Sequence, residues 1–204
     1  MKELTIITPV YNNKKDTINY LSEIRGNTLT DYLLIIIDNG SDDGTNKFLN
    51  SHSGDISIKI INNKQNMGYG FANNQGIDIA DSKYICFLNN DVLLYPGWDL
   101  DLIQPFKDDL QIGATGPVTN NCAGIQCENY GLQNIDSKSY MQLAQQRSKV
   151  LSGSYKEHHR VIGFCLMAET ELVKNIKGFD EGFNIGNYED DDLCIRIALC
   201  QKKI

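Results

Sequence analysis

Tyr32-Leu33-Leu34-Ile35-Ile36-Ile37-Asp38-Asn39-Gly40-Ser41-Asp42-Asp43-Gly44-Thr45 is an aliphatic run that stops at a carboxylate and passes through two glycines into a helix-like segment. It reads as strand, loop and helix. Side chains at the end of such a strand lie in a cleft, and the loop amides open onto the same space, an arrangement able to grip a nucleotide. A plain turn in which Ser41 or Asp42 caps the next helix would also satisfy the composition. That reading leaves Asp38, at the strand end, without a role.

The same alternation surrounds this stretch. Residues 4–10, 56–61 and 83–88 read as further strands, and 14–25, 44–50 and 70–80 have the mixed polar and apolar character of surface helices. Strands alternating with helices predict an α/β domain with a mostly parallel, Rossmann-like central sheet and helices on both faces. Right-handed crossovers would align the strand ends, with Thr8-Pro9, Asp38 and Asn89-Asn90-Asp91, along one edge, where ligands of open parallel sheets bind. Beyond Asp91 the pattern thins. A helix is expected near 99–106, a strand at 112–118, a helix at 139–150 and a strand at 161–168, with Thr170 capping a short helix. The polar stretch 120–159 reads as an acceptor-side insertion. We expect one domain over 1–204, with a nucleotide-binding half at 1–118 and an acceptor and catalytic half at 119–204.

Composition narrows the chemistry. A net charge of −7 without a Lys/Arg cluster argues against nucleic-acid binding, which needs a basic surface. An acidic chain that takes an anionic ligand needs a divalent cation or helix N-termini to hold it. No run of residues is apolar enough to span a bilayer and no export signal is visible at the start, so cytoplasmic residence is expected, with any contact at the inner membrane face being peripheral. The six cysteines form no Cys-x-x-Cys pair and read as reduced thiols, several of them buried.

Two acidic segments carry most of the chemical signal. Asn89-Asn90-Asp91 follows the apolar run 84–88, and a carboxylate at a strand end suits a hard divalent cation that keeps phosphates and waters in its shell. Glu189-Asp190-Asp191-Asp192 precedes Leu193, Cys194, Ile197 and Ala198 at helical spacing, so a helix should begin near Asp190 or Asp191. Carboxylates are favoured at a helix start by its dipole, and Asp192 with Arg196 has the spacing of a surface ion pair. Four in a row exceed what capping needs. Their mutual repulsion should raise some of the pKa values, which would fit Glu189 or Asp190 for work as a general base. The Gly68-Tyr69-Gly70 triplet is a weak dinucleotide signal and is better read as a glycine-permitted loop entering a helix, with Asn73 and Asn74 facing a ligand or satisfying backbone groups.

Together these segments resemble, in order along nearly the whole chain, the motifs of the family 2 inverting glycosyltransferases of GT-A fold, of the rhamnosyltransferase-like, cell-surface polysaccharide type. Thr5-Ile6-Ile7-Thr8-Pro9-Val10-Tyr11-Asn12 resembles the first strand and nucleotide loop, and 37–45 the second. Asn66-x-Gly68 with Ala72-x-Asn74-x-Gly76 resembles the glycine and asparagine segment. Asn89-Asn90-Asp91 stands where the family has Asp-x-Asp, and Gly178-Phe179-Asp180-Glu181 with Glu189-Asp190-x-Asp192 resembles the acceptor loop and catalytic motif.

The resemblance implies a nucleotide-diphospho-sugar donor (UDP-, dTDP- or GDP-linked) and a saccharide, lipid-linked or protein acceptor. It implies that Thr8, Pro9, Tyr11, Asp38 and Asn39 contact base and ribose, with Asn66, Gly68, Asn74 and Asn90 also on the donor side. Asp91, with Asn89 beside it, would bind Mg2+ or Mn2+. Asp190, or else Glu189, would deprotonate the acceptor. Asn89 in place of Asp removes one charge from the metal motif, and family members continue beyond the position of Ile204, so an acceptor-closing element is expected to be either missing or supplied by more of a longer protein. The other reading is a non-catalytic, nucleotide-sugar-binding fragment.

Overall fold

The computed structural model describes residues 2–52, 54–122, 126–127, 136–151, 153–183 and 186–204. Six strands, β1 (Leu4–Val10), β2 (Tyr32–Asp38), β3 (Ile58–Asn62), β4 (Tyr84–Leu88), β5 (Ala114–Thr115) and β6 (Cys165–Glu169), form one sheet in the order β3-β2-β1-β4-β6-β5. β3, β2, β1 and β4 are parallel, and β6 runs antiparallel between β4 and β5. The chain moves outward from β1 through β2 to β3, then returns to the other side of β1 with β4. That reversal of strand order opens a crevice at the carboxyl ends of β1 and β4.

Burial on both faces explains why the inner strands are apolar throughout. Alternate residues feed two cores. Leu4, Ile6, Leu34, Ile36, Cys86 and Leu88 pack with Tyr20, Leu21 and Ile24 of α1 (Lys14–Asn27), Leu49 of α2 (Thr45–Asn50) and Trp98, Ile103 and Phe106 of α4 (Trp98–Asp108). Ile7, Ile35, Ile37, Ile85 and Phe87 pack with Ala72 and Ile77 of α3 (Tyr69–Ile79), Val173 of α6 (Thr170–Asn175) and Leu193 and Ile197 of α7 (Glu189–Leu199). The two-faced α/β architecture expected from the alternation is present. The helix α5 (Ser137–Leu151) lies outside both cores and has no buried residue. No helix among the described residues is long and apolar enough to cross a membrane. All six cysteines are free, with Cys86, Cys165 and Cys194 buried.

Gly76 is where α3 comes closest to the sheet. A Cβ there would stand 2.7 Å from both Ile7 Cδ1 and Ile7 Cγ2, and Ile7 is fully buried in the central strand. Gly76→Ala should therefore overpack the core, costing about 1–3 kcal/mol and lowering Tm by several degrees in a thermal melt. An unchanged Tm would mean that α3 can move off the sheet freely.

Several local expectations are corrected. β3 begins at Ile58, because Ile56 lies in the preceding turn and is 95% exposed. The strand expected over 112–118 shrinks to Ala114–Thr115, and Ile112 instead bridges Lys203 near the end of the chain. The strand expected over 161–168 starts only at Cys165. Upstream of it, side chains take the amides that a ladder would use: Cys194 Sγ accepts from Val161 N–H, Gln126 Oε1 from Ile162 N–H and Asp190 Oδ2 from Gly163 N–H.

The capping assignments also change. Gly44, in the left-handed region at φ 90°, stands at the N-cap of α2 in place of Ser41 or Asp42, and Asp43 Oδ1 accepts from the Thr45 amide and hydroxyl. Thr170 is the first helical residue of α6, following Glu169 at the cap, and its buried hydroxyl has no partner. α7 starts at Glu189, in agreement with the start near Asp190 expected from the apolar spacing. Of the insertion at 120–159, residues 123–125, 128–135 and 152 lie outside the described residues.

Candidate active site

The crevice begins with loops that hold one another. Asn12 N–H donates to Ser41 Oγ at 2.7 Å, Asp42 N–H donates to Asn12 Oδ1 at 2.9 Å and Lys14 N–H donates to Asp43 Oδ2 at 2.9 Å. The loops that follow β1 and β2 are thereby stitched into one wall. Gly40, at φ 87°, passes so close to the next loop that a Cβ would lie 2.6 Å from Gln65 Cα.

Several residues expected on the donor side face inward. Asp38 is fully buried, its oxygens accepting from Ser41 N–H at 3.0 Å and Asn46 Nδ2 at 2.7 Å. Asn39 is also buried. It donates to Asn66 Oδ1 and Gly68 O, and accepts from Met67 N–H and Asn63 Nδ2, so its amide is the hub of the 63–68 loop. Thr8 is fully buried with its hydroxyl against Tyr20 Oη. These side chains hold the wall from behind, whereas Tyr11, at the end of β1, is 54% exposed and Pro9 is half-buried. Asn66 accepts from Gly68 N–H, which starts α3. Asn74 grips the 178–181 loop, accepting from Phe179 N–H at 2.8 Å and donating to Phe179 O and Glu181 Oε1. It satisfies that backbone, the second of its two expected roles.

At the end of β4, Asn89 N–H donates to Phe164 O at 2.9 Å and the half-buried Asn90 donates to Thr17 Oγ1 on α1. Asp91 is exposed and makes no hydrogen bond or ion pair with the described residues. No group of three or more His, Cys, Asp or Glu among the described residues is arranged to hold a metal. A lone, unpartnered carboxylate still fits an ion that draws most of its shell from a diphosphate and water.

The four carboxylates of α7 meet four different fates. Asp192 accepts from Arg196 Nε at 2.7 Å, the surface pair that the spacing indicated. Asp191 accepts from Arg160 at 3.0 and 3.1 Å. Glu189 is only 8% exposed, and its Oε2 is buried without a partner among the described residues. Burial first, then the neighbouring Asp190 and Asp191 charges, raises its pKa, so the expected repulsion is present but is the smaller cause. Asp190 is half-buried and has no cation among the described residues. Its Oδ2 accepts from Gly163 N–H at 2.7 Å and its Oδ1 from Asp191 N–H at 3.0 Å.

Gly163 thus holds Asp190, while the adjacent Phe164 holds Asn89. One segment brings the acidic helix and the β4 end to the same edge of the sheet. On its other side, Tyr69 Oη donates to Gly163 O at 2.8 Å. Neither Gly163 nor Tyr69 stands out in the sequence as a partner of the acidic helix, because their contacts span 27 and 94 residues.

Residues 5–169 match the model of "Glycosyl transferase family 2". The chain belongs to that family. It is 27% identical to the chondroitin synthase of Escherichia coli over 198 residues, covering 96% of this chain and 26% of that protein. Among solved structures, it resembles the mannosyltransferase PcManGT from Pyrobaculum calidifontis in complex with GDP-Man and Mn2+ (TM-score 0.70, 17% identity), covering 99% of this chain and 53% of that one. It also resembles Staphylococcus aureus TarS 1-349 in complex with UDP-GlcNAc (TM-score 0.65, 15% identity), covering 98% and 54%. This family 2 chain therefore has the GT-A fold, and it spans between a quarter and about half of the length of these proteins. The family match ends before α7, so roles for Glu189 and Asp190 rest on geometry and on motif resemblance.

Proposed function

We propose that this glycosyltransferase moves a sugar from a nucleotide-diphosphate donor to an acceptor hydroxyl with inversion, in cell-surface polysaccharide or glycoconjugate synthesis. The observation that carries this reading is the solitary state of Asp190. Of four adjacent carboxylates, two are neutralised by arginines and one is buried, leaving Asp190 half-exposed and aimed by a backbone amide. Each of its oxygens accepts one hydrogen bond and keeps a lone pair for a proton.

In this mechanism the acceptor hydroxyl gives its proton to Asp190 as its oxygen bonds to the anomeric carbon. The bond from that carbon to the diphosphate breaks on the opposite face, and the nucleoside diphosphate leaves with the bonding electrons. The wall formed by residues 9–12, 39–42 and 63–68 would hold base and ribose, with Tyr11 as its exposed aromatic. A divalent ion on Asp91, beside Asn89, would neutralise charge on the leaving diphosphate. The Mn2+ and GDP-Man in the mannosyltransferase complex support the use of a divalent ion with such a donor.

Binding can be tested without an acceptor by a thermal-shift panel of UDP, GDP, dTDP and CMP with UDP-GlcNAc and GDP-mannose, with and without Mn2+. Ligand at about a hundred times Kd should stabilise by roughly 2.7 kcal/mol, a shift of roughly 5–10 °C for a chain of this size. A manganese-dependent shift with one nucleotide family is the expected result, and its base identifies the donor class. No shift with any ligand would overturn the donor-site reading.

Glu189 has a separate signature. Because burial raises its folded pKa, the protonated form is favoured in the fold. Its stabilising effect is complete below the ordinary glutamate range and is lost as pH rises through the raised value. Glu189→Gln should therefore raise Tm at pH 7 and leave it nearly unchanged at pH 4. An equal change at both pH values would show that the carboxyl is not strained by burial.

A further inference from the structure

We propose that Tyr69 is a positioning residue for the base, its hydroxyl fixing the Gly163 backbone so that the Gly163 amide aims the Asp190 carboxylate. The inference rests on Asp190 being the base, as argued above. Residue 163 lies against the base, since a Cβ there would stand 3.2 Å from Asp190 Cβ, 3.4 Å from Asp190 Oδ2 and 3.5 Å from Tyr69 Oη, close enough to press on the Asp190 side chain. A glycine in that gap has no side chain to restrict its own φ and ψ, so the direction of its N–H must be set from outside. Tyr69 supplies the restraint with a 2.8 Å hydrogen bond to Gly163 O, and the Gly163 amide then reaches Asp190 at 2.7 Å.

Tyr69 is itself held firmly. It is the first residue of α3, directly after the Gly68 cap, and its ring meets Phe179 edge-on at 5.8 Å. Burial first, then the negative charges of Asp190 and Glu189, keep its phenol protonated well above the ordinary tyrosine range, so it remains a donor at any working pH. One hydroxyl thus links the helix that leaves the donor-side loop to the carboxylate that takes the acceptor proton.

Tyr69→Phe removes the hydroxyl and keeps the ring. Release of nucleoside diphosphate from UDP-GlcNAc and from GDP-mannose, with Mn2+, should show kcat lower by on the order of tenfold, the scale of a small misplacement of a reacting group. KM for the donor should stay close to that of the parent protein, and Tm should fall by a few degrees, since the buried Gly163 carbonyl loses its partner. In an Asp190→Asn background the same change should have no further effect, because the hydroxyl acts only through Asp190. Unchanged kcat in Tyr69→Phe, or an undiminished loss on top of Asp190→Asn, overturns the inference while leaving the base assignment standing. Parent-level turnover in Asp190→Asn overturns the base assignment, and this inference with it. With no donor present, the Gly163 amide proton resonance should move upfield in Tyr69→Phe as its hydrogen bond to Asp190 weakens. An unmoved resonance likewise counts against the proposal.

Discussion

Asp190→Asn is expected to lower sugar transfer by about two orders of magnitude or more, the usual contribution of a positioned general base. The substitution isolates proton transfer from architecture. An asparagine oxygen can still accept from Gly163 N–H, so the clamp between α7 and the 160–163 segment persists, as does the Arg160–Asp191 pair beside it, while the bond from Asp191 N–H to the other oxygen is lost. Donor binding should therefore stay near that of the parent protein and Tm should fall by no more than a few degrees, the cost of about one hydrogen bond, with the catalytic loss confined to kcat. The control is Asp192→Asn, which removes a carboxylate already paired with Arg196 and should affect transfer far less. Retained transfer in Asp190→Asn would move the base role elsewhere, first to the buried Glu189.

The second large effect is expected at Asp91. Asp91→Ala removes the unpartnered carboxylate at the end of β4, so charge on the departing diphosphate loses its protein-held counter-ion. Removing one preorganised electrostatic contact of this kind costs about two orders of magnitude in turnover. The structure also specifies what should not change. Asp91 is exposed and bonded to no described residue, so Tm without ligand should move little, as for an ordinary surface substitution. The diagnostic result is a nucleotide thermal shift that no longer responds to Mn2+. A shift that responds as in the parent protein would assign the ion to other groups.

These two carboxylates differ in how readable they were. Asp91 stands three residues beyond the end of β4, and that strand was legible from its uninterrupted apolar run, so its location at the sheet edge followed from local pattern alone. β1, β2 and β4, and the helices packed on them, were legible for the same reason. Where the reading failed, at 112–118 and 161–168, apolar residues were present but amides went elsewhere, in the first case Ile112 N–H to Asp109 O and Gly113 N–H to Lys203 O. Gln126, Asp190 and Cys194 take the hydrogen bonds that would have extended the second of these strands. A propensity argument cannot register such competitors. The donor-side residues show the same limit: Thr8, Asp38 and Asn39 sit in the segments the motifs marked, yet their side chains turn inward to Tyr20, Asn46 and the 63–68 loop.

The amino-acid sequence by itself determined the parallel α/β scaffold, the edge at which the chemistry gathers and the acidic start of α7. These depend on residue periodicity and strand-end position, which are local. Only the tertiary structure decided which of the four α7 carboxylates is left both half-exposed and, among the described residues, without a cation. Arg160 lies 31 residues from Asp191 and Gly163 lies 27 from Asp190, and the antiparallel insertion of β6 beside β4 brings them together. Charge neutralisation and the aim of a carboxylate are properties of contacts across the fold, so four neighbours nearly identical in sequence acquire four different environments.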